Sequence, residues 1–372
     1  MFDEITLPFL LSVLITSIFV PIAIKLALRF KLVDDPNVRT HPAHINKKIV
    51  PRAGGLAIYF GVFLTILLLL PISKSIFGIF LGSTILLIIG LIDDRLHKFN
   101  PYLRLALLFL AASTAVFGGI GISFITNPLS SIFPKFFSQN IIRLDQIILP
   151  INFFGTHNII LLADLFAFFW IVTLTQVINW SKGVDGQMPS ITLVTAFVLG
   201  VLSLRLFLSG DPNQLFIAKL AFITAGASLG FLIFNWFPAK IYPGFSGSTI
   251  LAFLLAVLSI LSGAKLATAS LCLGIPIIDF IYTFTRRILQ HKSPVWGDRG
   301  HLHHKLLDLG WSHQKISLFY LLGSGMLGSV ALLSGSEGKF FAFSLMAIII
   351  LGFIVWINSF GDLSKKSDHD SG

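Results

Sequence analysis

Long apolar runs alternate with short polar segments along almost the whole chain. A helix needs about 20 apolar residues to cross the hydrocarbon core of a membrane, where it satisfies its own backbone hydrogen bonds. Eleven runs approach that length: 5–28, 53–71, 76–92, 102–120, 159–178, 189–208, 214–234, 247–262, 266–285, 316–334 and 340–357. This pattern predicts an all-α, polytopic transmembrane helix bundle of about 10–11 spans.

Composition excludes an ordinary soluble domain. Of the 372 residues, 55% are hydrophobic and 12% are charged, and the mean hydropathy is +0.87; lipid is therefore the expected solvent for most of the chain. Cys272 is the single cysteine, so we expect neither an internal disulfide nor a cysteine metal site. We predict one transmembrane domain over 1–362 and a disordered cytoplasmic tail over 363–372. The connection at 121–158 is predicted to form a hairpin or an interfacial piece.

The net charge of +10 has a topological explanation. If the amino terminus is outside, most Lys and Arg residues fall in loops that are inside, as the positive-inside rule requires. The remaining positive charge is free to attract anionic membrane lipids or a nucleotide, and no nucleic-acid partner is expected.

Almost every polar cluster lies on that predicted inside face. Asp, Asn, His and Lys residues gather in five loops, at 29–52, 93–101, 179–188, 235–246 and 286–315. Such convergence favours an enzyme with cytoplasmic active-site loops that takes one substrate from the cytoplasm and one from the membrane. A transporter or flippase is the alternative, although transporters place polar residues near the bilayer midplane in broken helices.

Two motifs offer carboxylate and amide oxygens. In GLIDDRLH, Asp93 and Asp94 lie at the end of a span, where they can hold Mg²⁺ or act as a base toward a phosphate; a solvated loop is the alternative. In VINWSKGVDGQMPS, Asn179 and Asp185 flank Lys182, and nearby glycines let the backbone approach a ligand closely. A simple turn would use the same residues.

A third motif, DRGHLHHKLLDLG, can neutralise a diphosphate through charge and hydrogen bonds. It contains Asp298, Arg299, His301, His303 and His304. Zinc binding by the histidines and a purely structural cluster are the alternatives, and for zinc the further ligand is unassigned.

Cations and one buried carboxylate complete the candidates. Lys47, Lys48 and Arg52 in the first inside loop can meet phosphate groups, although the positive-inside bias explains them equally well. Asp279 lies in an apolar helix, where a carboxylate is costly unless paired or functional, and we expect a pair with Arg286 or Arg287.

The order of these motifs resembles that of the polyprenyl-phosphate N-acetylhexosamine-1-phosphate transferases. DDPNVRTHP, PRAGG, GLIDDR, NWSKGVDG, FPAKIYPGFSGS and DRGHLHHKLLDLG follow one another between about Val33 and Leu309, with apolar spans between them. The HLHH form is similar to the GlcNAc-type branch of this superfamily. The phospho-N-acetylmuramoyl-pentapeptide transferase branch is the alternative.

The resemblance implies a reaction on the cytoplasmic side of a bacterial inner membrane. A polyprenyl phosphate, expected to be undecaprenyl phosphate, would attack the β-phosphorus of a UDP-N-acetylhexosamine and release UMP, with Mg²⁺ or Mn²⁺ as cofactor. The metal would be held by Asp93, Asp94 and Asp185. The resemblance implies catalytic roles for these three aspartates and for His301, His303 and His304. The histidines, with Arg299, would bind the diphosphate of the sugar nucleotide, and Asp93 or Asp94 would activate the lipid phosphate. The other substrate-binding residues would be Lys47, Lys48, Asn179, Lys182 and Asp298. The oligomeric state is left open.

Two positions depart from the family pattern. Lys182 stands where an Asp is usual, and Phe245 stands where a metal-binding Asp is usual. A divalent cation should bind such a site more weakly. Three explanations are open: the Lys182 ammonium replaces part of the metal charge, the remaining aspartates bind Mg²⁺ in a shifted geometry, or the chain binds lipid or nucleotide without turnover.

Overall fold

The computed structural model describes residues 2–35, 48–96, 99–133, 135, 139–152, 156–263, 265–293 and 299–367. Two predicted substrate-binding residues, Lys47 and Asp298, lie outside these ranges. The apolar runs form helices, and the helices are α1 Phe2–Arg29, α2 Gly54–Leu69, α3 Lys74–Arg95, α4 Pro101–Phe117, α5 Leu129–Ile132, α6 Leu161–Trp180, α7 Gln187–Leu208, α8 Asn213–Asn235, α9 Gly244–Leu261, α10 Leu266–Cys272, α11 Gly274–Leu289, α12 Leu302–Asp308, α13 His313–Leu333 and α14 Ser336–Ser367.

Every predicted span coincides with one or two of these helices. Eight described helices are long and apolar enough to cross a membrane, and α10 with α11, bent by 82° about Leu273, would make a ninth. Helices α2 and α4 are apolar but shorter. The prediction of an all-α, polytopic membrane bundle is therefore confirmed.

Short antiparallel strands fill two of the connections. Just before α2, β1 Val33–Asp34 pairs with β2 Val50–Pro51. Within the segment 121–158, the strand β3 Phe124–Thr126 pairs with β4 Ile141–Arg143, and β5 Ile148–Asn152 pairs with β6 Thr156–Ile160. This segment therefore contains the predicted hairpin structure.

Helix α9 is the centre of the bundle. Its sequence has no charged residue, its apolar window is 94% buried, and it packs against α2, α3, α6, α7 and α8. A helix that is apolar on all sides is expected to be surrounded by other helices. The amino terminus of α9 is therefore held inside the ring formed by its neighbours.

Glycines bring two neighbouring helices close to that amino terminus. Gly55 of α2 and Gly90 of α3 both face Ser246, and a Cβ atom at either position would overlap it. Small residues of this kind let helix backbones approach closely in membranes. The close packing places the end of α3, with its two aspartates, against the beginning of α9.

The last helix, α14, continues past Leu363, where the disordered tail is predicted to begin, as far as Ser367. Residues 368–372 lie outside the described part of the chain. The domain division at this point stays a prediction.

Candidate active site

The polar motifs meet at one end of the bundle. The carboxyl ends of α3, α6 and α8 lie beside the amino ends of α7 and α9 there. Hydrogen bonds join α3 to α9, the residue Lys182 after α6 to α9, and α8 to α7. The histidine segment around α12 lies against the loop between α6 and α7. The structure thus brings together motifs that are separated by up to about 200 positions in the sequence.

Asp94 joins the end of α3 to the beginning of α9. Its buried carboxylate accepts hydrogen bonds from the Phe245 backbone N–H at 2.8 Å and the Ser246 hydroxyl at 3.0 Å. The guanidinium of Arg52 lies 3.3 Å from the same carboxylate. Gly244, at φ +69°, leaves the space that the carboxylate fills. The unpaired N–H groups and the positive end of the α9 dipole stabilise the negative charge.

Asp93 is held by a cation that the sequence analysis missed. Its carboxylate accepts a hydrogen bond from Arg104 Nε at 2.5 Å. Arg104 belongs to α4, and its guanidinium also lies 5.6 Å from the centre of the Phe245 ring. The signal that could have found it is a charge within a predicted apolar span, because such charges are costly unless they have a role.

Lys182 occupies the centre of the site. Its Nζ atom donates hydrogen bonds to Asn179 Oδ1 at 2.7 Å, to the Gly244 carbonyl at 3.0 Å and to Ser248 Oγ at 3.0 Å. The Phe245 ring centre lies 5.4 Å from the same ammonium. The lysine therefore ties the loop after α6 to the beginning of α9.

The surroundings of Lys182 disfavour its charge. Burial, and then the charge of Arg52, lowers the pKa of this ammonium to about 7, although Asp94 and Asp93 act in the opposite direction. Within the described ranges, no carboxylate oxygen lies within ion-pair distance of Lys182. The site therefore holds a cation whose direct oxygen partners are all neutral.

Asp185 joins the loop after α6 to the loop before α9. Its carboxylate accepts a hydrogen bond from the Ala239 backbone N–H at 3.0 Å and another from the Tyr242 hydroxyl. Burial and the Asp185 charge raise the pKa of Tyr242 above its ordinary value, so this phenol stays protonated. His313 Nδ1 lies 3.7 Å from the carboxylate.

The three aspartates predicted to bind a metal are therefore engaged separately. Asp93 is bound by Arg104, Asp94 by the amino terminus of α9, and Asp185 by the loop before α9. Over the described ranges, no group of three His, Cys, Asp or Glu side chains is placed to hold a metal ion. The predicted ligand set does not fit this arrangement, and Mg²⁺ dependence stays a prediction.

Asp279 positions the histidine segment. Its two carboxylate oxygens lie 2.9 Å from His301 Nδ1 and 2.8 Å from the Leu302 backbone nitrogen. The expected pair with Arg286 or Arg287 is therefore wrong, because both oxygens are engaged by the start of α12. Pairing partners of this kind depend on the tertiary fold, and spacing along one helix does not reveal them.

His303 and His304 are the most buried of the three histidines in this segment. Their ring centres are 4.3 Å apart, and the His303 ring packs on the Gly183 backbone, where a Cβ atom would overlap it. Burial, and then His301, lowers the pKa of His304 to about 4, and burial likewise lowers the pKa of His303. Both rings are therefore neutral near pH 7, and each has one N–H group to donate.

Both Nδ1 atoms are buried without a hydrogen-bond partner in the described part of the molecule. Buried polar atoms are normally paired, so these two are candidates for binding a substrate oxygen or water. Two other predicted residues lie further out. Arg299 contacts Asp308 at 2.8 Å on the surface, and Lys48 is exposed before β2; their predicted roles are untested by this geometry.

Fold and site together define a class: a multi-pass membrane protein with a polar, cation-rich site built from helix ends. Residues 76–263 match the model of glycosyl transferase family 4, which is about half of the chain. The chain belongs to glycosyl transferase family 4. The predicted enzyme class, a phosphotransferase, is thereby confirmed.

Relatives extend the similarity beyond the matched segment. The chain is 28% identical to a probable undecaprenyl-phosphate N-acetylglucosaminyl 1-phosphate transferase of Bacillus subtilis, over 97% of this chain and 90% of that protein. It is 30% identical to a decaprenyl-phosphate N-acetylglucosaminephosphotransferase of Mycolicibacterium smegmatis, over 81% and 75%. It is 27% identical to a phospho-N-acetylmuramoyl-pentapeptide-transferase of Staphylococcus aureus, over 86% and 96%. The predicted superfamily and branch are confirmed.

Proposed function

We propose that the chain transfers a sugar-1-phosphate, most simply N-acetylglucosamine-1-phosphate, from a UDP-sugar to undecaprenyl phosphate. The acceptor phosphate oxygen attacks the β-phosphorus of the UDP-sugar, the bond from that phosphorus to the bridging oxygen breaks, and UMP leaves. The product is a polyprenyl diphosphate sugar. The names of the relatives from Bacillus subtilis and Mycolicibacterium smegmatis support the sugar and the lipid acceptor.

One observation carries the proposal: adjacent residues of one loop connect both halves of the site. Lys182 contacts the beginning of α9, next to Asp94, while Gly183 carries the ring of His303. One loop therefore joins the aspartate motif to the histidine motif, and we infer that the two motifs line one shared space. Two phosphorylated substrates need such a shared space for their reacting atoms to meet.

The site residues support this transfer through charge and position. Phosphoryl transfer requires orientation and electrostatic stabilisation more than covalent protein chemistry. Arg52, Arg104 and Lys182 supply positive charge, and the neutral rings of His303 and His304 supply hydrogen-bond donors. Because a phosphate monoester has a second pKa of about 6, the acceptor is already largely ionised at neutral pH and needs no strong base.

We infer the membrane side on which the site lies from the distribution of charged residues. We place the site at the cytoplasmic face of a bacterial inner membrane, since a sugar nucleotide is a cytoplasmic metabolite and the loops around the site carry most of the Lys and Arg residues. There the enzyme would begin the membrane stage of cell-wall or surface polysaccharide synthesis.

The test is mass spectrometry of the lipid product. Purified protein in detergent is given undecaprenyl phosphate, MgCl₂ and, in turn, UDP-N-acetylglucosamine, UDP-N-acetylgalactosamine or UDP-N-acetylmuramoyl-pentapeptide. We expect undecaprenyl diphosphate N-acetylglucosamine together with UMP. Asp94→Asn should lower the rate at least about a hundredfold, whereas Asp145→Asn, in an exposed pair with Arg143, should keep it. Release of UDP, or no lipid product from any donor, would contradict the proposal.

A further inference from the structure

The centre of the site is built around an ammonium group. Lys182 has three N–H groups, and the structure supplies three oxygen acceptors for them, from Asn179, Gly244 and Ser248. Amide, carbonyl and hydroxyl oxygens are the neutral ligands that hard metal ions also take. The ammonium thus lies in a cage of oxygens that joins α6 to α9, as a bound metal ion would.

The carboxylates near Lys182 are already engaged, which leaves few ligands for a second cation. Asp93 and Asp94 are already engaged by Arg104 and by the beginning of α9. The Phe245 ring lies between two cations, 5.4 Å from Lys182 Nζ and 5.6 Å from Arg104 Cζ. An aromatic face attracts a cation without neutralising it and offers no oxygen to a metal. A divalent ion at this point would meet two positive side chains.

We propose that the Lys182 ammonium takes the place of a divalent metal ion as the cation that neutralises a substrate phosphate. This inference rests on the proposed function, because it assigns one component of the same site. The ligand is a phosphoryl group, either on the polyprenyl phosphate or on the sugar nucleotide. A partly buried ammonium whose direct oxygen partners are neutral gains from an anionic counter-ion.

Binding without metal is the first consequence. The full-length protein in detergent is titrated with undecaprenyl phosphate and, separately, with UDP-N-acetylglucosamine, each in EDTA and in excess MgCl₂. For at least one probe, we expect Kd in EDTA within about twofold of Kd in MgCl₂, and a loss of at least about tenfold in Lys182→Met. The probe that responds identifies the phosphate. Lys339→Met, a lysine that contacts Thr268 at the opposite end of the bundle, should bind both probes as the wild type does.

The outcomes separate the two proposals. If MgCl₂ tightens wild-type binding of both probes about tenfold or more, or if Lys182→Met binds both normally, the inference is overturned and the proposed function stands. If the wild type binds neither probe in either condition, the proposed function is overturned as well.

A gain of metal binding is the second consequence, and it has a readout other than activity. The melting temperature of the wild type should be the same in EDTA and in MgCl₂. The double variant Lys182→Asp with Phe245→Asp, or Lys182→Asp alone if the double variant does not fold, should melt at a higher temperature in MgCl₂ than in EDTA. An equal Mg²⁺ stabilisation of wild type and variant would overturn the inference.

Discussion

Gly183 is a residue at which one added methyl group should disturb the site. Its backbone carries the His303 ring, and a Cβ atom there would overlap that ring. The neighbouring Lys182 contacts the beginning of α9. Because Lys182 and Gly183 are adjacent, their loop fixes the distance between the aspartate half of the site and the histidine half.

We expect Gly183→Ala to lower kcat/KM by about tenfold to a hundredfold, because the His303 ring must move and small displacements of positioning groups are costly. Steady-state kinetics with both substrates measures the effect. Gly325→Ala is the matched control, since a Cβ atom there meets nothing within 4 Å. Equal kinetics for the two variants would contradict the role of this contact.

The lowered pKa of Lys182 predicts that substrate binding depends on pH. Burial lowers the pKa of its ammonium to about 7, with Arg52 and Arg104 acting in the same direction and Asp94 and Asp93 opposing them. The charge is present below that pH and is lost as the pH rises through it. Affinity for the substrate whose phosphate Lys182 binds should therefore fall between pH 7 and pH 9 by up to about tenfold per unit.

The comparison variant for this pH dependence is Lys182→Arg, whose guanidinium stays protonated over the whole range. Its affinity should change little with pH, even if it is lower throughout. Isothermal titration calorimetry from pH 7 upward isolates the effect of the lysine charge, because the phosphate monoester is already mostly ionised in this range. A wild-type affinity that rises or stays constant with pH would count against the assignment.

At the scale of helices, Asp279 couples α11 to α12. Both of its oxygens are used by His301 and the Leu302 backbone, so the carboxylate fixes where the histidine segment begins. We expect the polyprenyl phosphate to bind at the other half of the site, which is formed by α3 and α9. The two halves should therefore respond differently to a change at this position.

We expect Asp279→Asn to raise KM for the UDP-sugar by about tenfold while KM for undecaprenyl phosphate stays within about twofold, since one charge-assisted hydrogen bond is weakened. Hydrogen exchange should become faster in 299–308 and stay unchanged at the α3–α9 contact. Asp145→Asn serves as the control for a surface carboxylate. Equal rises in both KM values would show that Asp279 acts on the whole bundle.

The helices could be predicted from sequence because lipid imposes a local rule: an apolar run of sufficient length must form a helix. The bend at Leu273 is followed by Gly274 and Pro276 in the first turn of α11, but no charge interrupts the apolar run there, so the pattern predicts a single span. The motifs of the site were also visible, because polar residues stand out between apolar runs. Their partners were not, since the contacts of Asp93 with Arg104 and of Asp279 with His301 are made across the fold.

At the scale of the whole molecule, the two ends of the bundle should lie on opposite sides of the membrane. Leu309 follows α12 at the site end, and Asp145 lies in the hairpin segment between α4 and α6. Cys272, the single native cysteine, is buried. Labelling should therefore report on the introduced cysteines, because the native thiol is inaccessible to the reagent.

A membrane-impermeant maleimide should label Asp145→Cys in intact cells, and it should label Leu309→Cys only after the membrane is opened. The positive-inside distribution is the reason for this expectation. Labelling efficiency on a gel is the measurement, with the wild type as the unlabelled control. Labelling of both positions from the same side would remove the basis for a shared cytoplasmic site.

The most direct test of the account follows the phosphorus atoms. Two samples of UDP-N-acetylglucosamine, one labelled with ³²P at the β-phosphate and one at the α-phosphate, are each incubated with the protein and undecaprenyl phosphate. Attack at the β-phosphorus predicts that the β label enters the lipid and that the α label appears only in UMP. Retention of the β label in soluble UDP while the sugar enters the lipid would contradict phosphotransfer, as would the absence of any lipid-bound label.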